Sequence, residues 1–456
     1  MAAAVAHEPR TVSPAIDLDN LEYPTFESLA AMAQEDVEIT KRSTLIDEEL
    51  KKESAKRKEA RRREVKVMLL GQAESGKSTL QKQFQLYYAS KTLDGERPSW
   101  RPVVYFNIIK AVRMILSELD WEFANPTPGQ DANHTSKEVQ EKIGALRVKL
   151  LPLIAIESSL ASELSGGVSV SGGRTGAYVR AGWQALVTPT HTWPSTDARS
   201  TARVSEVVEL ASRTISTVLS EIQALWDHRA VRHLLDLRKV RLDESAPFFL
   251  DNVERIAEPD YLPTTDDILN VRLQTLGIME HSFPINMGGI TYNWKLYDVG
   301  GARGQRHAWV PYFDDATAII FLAPVSAFDQ YLEEDAKTNR IDDSLQLWTA
   351  ICSNKLLQEA HLVLLLNKAD LLKKKLKAGI RIRKYITSYG ERPNTFESAS
   401  EYFRSHFLQI HRRKDLSRRP LYVHFTSMLD VQAMRSIIAN VGEAIIRKHI
   451  TETGLV

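Results

Sequence analysis

The chain has 456 residues, long enough for two domains, and its 59 Lys and Arg against 58 Asp and Glu leave a net charge of +1. Nothing in that balance argues for nucleic acid as a partner, and a single cysteine, Cys352, excludes an internal disulfide and fits a reducing compartment. No apolar run is long enough to span a bilayer, and no signal-peptide pattern is present.

Residues 1–42 are mixed in composition with scattered prolines, and read as a disordered extension. Residues 43–63 read as a charged helix. Its cluster Lys51, Lys52, Lys56, Arg57, Lys58, Arg61, Arg62 and Arg63 suits an anionic membrane surface or a solvated helix face equally well. Next comes an apolar run, Val65–Leu70, feeding Gly71-Gln72-Ala73-Glu74-Ser75-Gly76-Lys77-Ser78-Thr79. This is a buried strand followed by G-x-x-x-x-G-K-S, a turn whose backbone N–H groups point inward around a phosphate chain. Gly71 and Gly76 allow backbone angles that other residues resist. Lys77 is expected on the β- and γ-phosphates and Ser78 on Mg²⁺. Thr79 and the residues after it continue as a helix, which adds its N-terminus to the anion site. Alone, this loop specifies a nucleoside triphosphate and leaves the base open.

Almost two hundred residues separate the phosphate loop from the next motif, too many for a loop, so a domain is inserted there. Val103, Val104, Phe106, Ile108, Ile109, Val112, Ile115, Leu116 and Leu119 recur at helical spacing, as do Ile215, Val218, Leu219, Ile222, Leu225 and Trp226. Both sets predict core-packing helices. They fit an inserted domain with a helical core of its own. Within it, residues 124–203 carry proline- and glycine-rich stretches around one expected helix, Ser136 to Glu163, flanked by flexible linkers.

Further on, Ile290–Tyr297 reads as a strand ending in Asp298-Val299-Gly300-Gly301, where the aspartate suits a Mg²⁺ site. Gly301 would let its N–H approach the γ-phosphate. A second buried strand, Leu362–Leu366, ends in Asn367-Lys368-Ala369-Asp370. The Asp370 carboxylate can accept two hydrogen bonds from guanine, from the ring N–H and the exocyclic amine. Adenine presents the opposite pattern, so the site selects as well as binds. Asn367 would tie this loop to the phosphate loop, and the Lys368 stem would cover the base. A third strand, Leu421–Phe425, leads to backbone N–H groups near Ser427 and Met428 that could close the base pocket. Residues 344–353, 396–406 and 431–449 read as helices, the last with an apolar face of Ile437, Ile438, Val441, Ile445 and Ile446.

Taken together, these residues resemble the alpha subunit of a heterotrimeric G protein. The spacing of Arg272, Thr275 and Gly277 against Asp298-Val299-Gly300-Gly301, with Glu74 in the phosphate loop, carries the likeness over about residues 44–123 and 206–456. The resemblance implies an α/β phosphate-loop GTPase domain with a mostly parallel sheet, residues 64–90 and 262–456, and an inserted all-helical domain, residues 91–261. It implies GTP, GDP and Mg²⁺ as ligands. Arg272 would be a built-in arginine finger, worth roughly 10³–10⁵ in rate where such fingers are known, G-protein alpha subunits among them. Thr275 would join Ser78 on Mg²⁺ in the triphosphate state, with Asp298 supporting the site, and Glu74 would pair with Arg272. Leu269 would also line the nucleotide. The implied partners are a beta-gamma dimer, docking on the N-terminal helix and an exposed switch around Trp309, a receptor engaging the C-terminal helix, and an effector. The implied location is the cytoplasm, at the inner face of the plasma membrane.

Departures from the family pattern are concentrated near the chemistry. The glutamine that orients the attacking water is replaced by Ala302, whose methyl can neither accept nor donate a hydrogen bond. Gln305, three residues on, could substitute if the switch is remodelled. Two readings stay open, a slow GTPase and a GTP-locked adaptor. Asn270 and Gln274 replace usual basic residues, and Ser427 and Met428 replace the usual cysteine and alanine. The sequence opens Met1-Ala2-Ala3-Ala4, without the glycine that N-myristoylation needs, so membrane contact is expected through partners.

Overall fold

A computed structural model describes residues 26–125, 136–165, 177–179, 183, 198–236, 242–275, 277–415 and 417–453. It divides into two units, residues 1–63 and 64–456. In the first, helix α1 spans Phe26–Arg62. It therefore starts well inside the segment expected to be disordered. The three prolines of the N-terminal stretch, Pro9, Pro14 and Pro24, all precede it, and the residues after them are mostly good helix formers. From Lys41 to Arg57 its side chains are exposed, Leu45, Ile46 and Leu50 among them, and Arg57–Glu53 is an ion pair one turn apart.

The second unit is built on a six-stranded sheet. Its strands are β1 (Glu64–Leu70), β4 (Ile278–Met287), β5 (Ile290–Val299), β6 (Ala318–Pro324), β7 (His361–Asn367) and β8 (Leu421–Phe425), in the order β4–β5–β1–β6–β7–β8. All neighbours are parallel except the β4–β5 pair. Strands β1, β6 and β7 read as nearly continuous apolar runs because both their faces are covered. Met68, Leu70, Phe321, Leu364 and Leu366 face one core, while Val67, Leu69, Leu322, Val363 and Leu365 face the other. Helices Arg340–Cys352 and Phe396–Lys414 supply Trp348 and Phe407 to the first core. Helices Lys77–Tyr88 and Val431–Thr453 supply Leu80, Phe84, Met434 and Ile438 to the second. The C-terminal helix thus runs to Thr453, past the His449 expected from its apolar face.

Between β1 and β4 the chain builds a helical body. Its central helix, Arg101–Ala124, buries both the predicted stripe and residues beside it, since helices surround it. The other predicted stripe is split between helices Ala198–Thr217 and Leu219–Trp226. In the insert the single helix expected over 136–163 is two, Lys137–Ala155 and Glu157–Ser165, broken at Ile156. Pro152, inside the first, removes a backbone donor one turn before the break. Two further insert features have fixed places. Strand β2 (Ala177–Val179) pairs in parallel with β3 (Leu273–Thr275), and Trp183 is buried edge-on against Trp100, with centroids 5.0 Å apart. The proline- and glycine-rich flanks at 126–130, 166–173 and 188–194 lie outside the described residues. No helix among the described residues is long and apolar enough to cross a membrane.

Candidate functional site

Strand β1 lies between β5 and β6, and the chain passes over it in going from β5 to β6, so a crevice opens at the carboxyl ends of these strands. Gly71 and Gly76 adopt φ of 145° and 102°. Space requires glycine too: a Cβ on Gly71 would sit 2.5 Å from Leu322 O, and one on Gly76 would overlap Asn367 Nδ2. Lys77, the first residue of the following helix, is buried and donates to Gly71 O and Gln72 O at 3.0 and 2.8 Å. Burial lowers its pKa to about 8, with Asp298 opposing that fall.

Three oxygens converge at the mouth of the crevice. Ser78 Oγ donates to Asp298 Oδ2 at 2.6 Å, Thr275 Oγ1 donates to the same oxygen at 3.0 Å, and the two hydroxyls lie 3.2 Å apart. Asp298 Oδ1 is buried with no hydrogen-bond partner among the described residues. A buried carboxylate with a spare oxygen beside two hydroxyls is a hard, all-oxygen donor set, which fits Mg²⁺.

The switch segments close on the loop. A Cβ on Gly301 would meet Ala73 N at 2.5 Å, so only glycine permits this approach. Gly300 N donates to Gly277 O at 2.9 Å, and its Cα is covered by the Gln305 side chain. Ala302 and Gln305 both line the cleft. Arg306 makes paired contacts to Asp343 at 3.0 and 2.6 Å and donates to Gly301 O at 3.2 Å, tying the switch to the helix Arg340–Cys352. Trp309, expected to be exposed, is buried and donates from Nε1 to Gly300 O at 2.9 Å. Its indole N–H finds a partner only by turning inward, and Val310 and Tyr312 stand exposed instead.

Arg272 is held from several sides. Its guanidinium pairs with Glu74 and, at 2.5 Å, with Asp243 of the helical body. Burial and the neighbouring Arg340 draw its pKa down to about 10, so it stays cationic at neutral pH. Asn107 accepts from Arg272 N at 3.2 Å. Glu74, itself at φ 61°, also takes Arg340 at 2.9 Å. Gln72 accepts from Arg340 Nε at 2.9 Å and donates to Arg340 O at 2.7 Å. Asp243, Asn107 and Arg340 had no assigned role from sequence, because each meets the motif only through tertiary packing, and Gln72, at a variable position of the motif, gains its role only from Arg340.

At the base end, Asn367 Nδ2 donates to Ser75 O at 2.8 Å, and its Oδ1 accepts from Thr426 at 3.1 Å. Lys368 takes φ 63° and its ammonium pairs with Glu244. Asp370, Ser427 and Met428 line this end of the cleft, with Gln83 donating to Met428 O at 2.7 Å. Thr79, Leu269 and Thr275 line it too, and the cleft has a volume of about 520 Å³.

Fold and cleft define the class: a phosphate-loop GTPase domain with an inserted helical domain, which is not all-helical as expected because it also carries strand β2. Residues 40–445 match the family described as G-protein alpha subunit. The chain is 31% identical to the guanine nucleotide-binding protein alpha-4 subunit of Mycosarcoma maydis, covering 86% of this chain and 83% of that protein. It is 29% identical to the alpha-1 subunit of the same organism, covering 92% and 98%. It is also 29% identical to a guanine nucleotide-binding protein subunit alpha of Emericella nidulans, covering 93% and 99%. The chain belongs to the G-protein alpha subunit family, whose members bind guanine nucleotides and are GTPases.

Proposed function

We propose that this chain is the guanine-nucleotide switch of a heterotrimeric G protein, coupling a membrane receptor to an effector and turning off slowly. The observation that carries this reading is the convergence of Ser78 and Thr275 on Asp298 beside a phosphate loop that Asn367 ties to the base site. We assign residues 64–90 and 262–456 to the GTPase domain and 91–261 to the helical domain. A helical core lying largely between Leu93 and Tyr261 supports that division.

In this reading the phosphate-loop amides and Lys77 bind the phosphates, and Asp370 reads guanine. Ser78 and Thr275 hold Mg²⁺, with Asp298 behind them. The bound ion would offset charge on the β- and γ-phosphates. A γ-phosphate with its Mg²⁺ would engage Thr275 and Gly301 and order both switches, so GTP and GDP would favour different states of the segments around them. Arg272 neutralises charge developing on the γ-phosphoryl oxygens. No side chain at position 302 aligns the attacking water, which makes turnover slow. A beta-gamma dimer on the GDP state, a receptor on the C-terminal helix and a peripheral position at the membrane through partners complete the reading.

A GTP-locked adaptor is the second reading, and it rests on Ala302. Competition for bound GDP tests the first. GTP should displace it while ATP does not, and Asp370→Asn should weaken guanine binding by roughly 10²-fold or more, given the loss of a paired contact in a selective site. Displacement by ATP as readily as by GTP would sink the assignment.

A further inference from the structure

The arginine assigned above as the finger carries one contact that this reading does not use. Asp243 comes from the segment entering the short helix Ala246–Asp251, next to Glu244, which lines the cleft. It has two cationic partners. Lys110 Nζ, on the central helix of the helical body, lies 2.5 Å from one carboxylate oxygen, and Arg272 Nη1 lies 2.5 Å from the other. Lys110 is almost wholly buried, with its side chain 3% exposed, whereas Arg272 and Asp243 are about one-fifth exposed. A buried ammonium needs a counter-charge, and Asp243 supplies it. The carboxylate is therefore fixed in place whether or not Arg272 is bound to it.

The Arg272 backbone is fixed as well, by Asn107 at 3.2 Å to its N–H, so its remaining freedom is in the side chain. That side chain has two competing anions, Glu74 in the phosphate loop and Asp243 before the helix Ala246–Asp251. Any third anion placed between them must win the guanidinium from both. A γ-phosphoryl group gaining charge in the transition state is such an anion.

We propose that Asp243 is a positioning residue that sets the rate of GTP hydrolysis by withholding the Arg272 guanidinium from the γ-phosphoryl group, with Lys110 as its buried anchor. The inference rests on the reading of Arg272 as the finger. It adds a brake that acts through Arg272 and is independent of residue 302.

The test is single-turnover hydrolysis of pre-bound GTP by the full chain. Asp243→Asn keeps the shape and removes the charge. It also strands Lys110, so the neutral pair Lys110→Gln/Asp243→Asn is measured beside it as the form that folds without a buried unpaired ammonium. Each is measured with Arg272 and with Arg272→Ala, and Asp243→Glu serves as the conservative rescue. The expected result is hydrolysis about fivefold faster in both variants that remove the Asp243 charge, since asparagine keeps a neutral contact and loses only the charge assistance, which roughly doubles a hydrogen bond. No acceleration is expected with Arg272→Ala, and the parental rate should return with Asp243→Glu. A folded Lys110→Gln/Asp243→Asn variant no faster than the parent overturns the inference, and so does an acceleration that survives Arg272→Ala. If Arg272→Ala alone hydrolyses as fast as the parent, the finger reading falls and the inference falls with it. If Arg272→Ala is slow and the variants without the Asp243 charge match the parent, only the inference falls.

Discussion

Asp267 shows how the residues around this cleft are held. Fully buried, it accepts paired contacts from Arg255 at 2.9 and 2.7 Å, one from Tyr261 at 2.9 Å, and one from Thr264 N at 2.8 Å. Burial alone would raise its pKa, but Arg255 and the backbone and hydroxyl donors outweigh it and the net shift is downward. Its stabilisation is therefore complete above the ordinary carboxylate range and is lost as pH falls through the depressed value. Asp267→Asn should cost about 2 kcal/mol at neutral pH, below the scale for breaking a wholly buried pair because the Arg255 side chain is 37% exposed. It should also flatten the acid side of the stability curve. Urea unfolding at pH 7 and pH 3 checks both; an equal loss at the two pH values would refute the charge assignment. At this scale legibility follows distance along the chain. Gly71, Gly76, Lys77 and Ser78 form one contiguous motif whose chemistry is local. Gln72 and Arg340 are 268 positions apart, and Asp243 and Arg272 are 29 apart, so no spacing rule joins them.

At the scale of elements, the strands carrying motifs were readable because they are apolar runs with polar ends. Strand β4 was missed. Its register with β5 is complete from Ile278 to Met287, yet Pro284 lies inside it. A proline is tolerated there because β4 is an edge strand, with one side free of ladder bonds. The pairing of β2 with β3 was also unreadable, since three residues of an unmatched insert carry no periodic signal. This pairing places Val179 opposite Thr275. Proline at 179 would fix φ and push Tyr178 toward a restricted backbone within that three-residue strand. Val179→Pro should therefore speed amide hydrogen exchange at residues 273–275 while leaving β1 and β7 unchanged. Unaltered exchange at 273–275 would mean that β2 does not restrain this segment.

At the scale of the whole second unit, the parallel sheet places every strand-end motif on one rim, and the helical body meets that rim through ion pairs. Lys368–Glu244 spans the base end and Arg272–Asp243 the phosphate end. A lid fastened at both ends of a cleft favours slow nucleotide release. The helical class of this body was legible from apolar spacing, whereas the carboxylates it aims into the cleft depend on how its helices pack. Gln305 belongs to the turn segment Arg303–Tyr312 after β5. Its side chain lies over Gly300, within the cleft but against the backbone of its own segment. In the proposed reading the methyl of Ala302 leaves the attacking water without an aligning group.

Slow turn-off is the central claim, and single-turnover hydrolysis of GTP with Mg²⁺ measures it directly, comparing the parent with Ala302→Gln and Gln305→Ala. The account predicts that Ala302→Gln is faster than the parent by roughly 10²-fold, the scale of one positioned catalytic group, and that Gln305→Ala leaves the parental rate unchanged. A parent as fast as Ala302→Gln, slowed by Gln305→Ala, would contradict it and give the water-aligning role to Gln305.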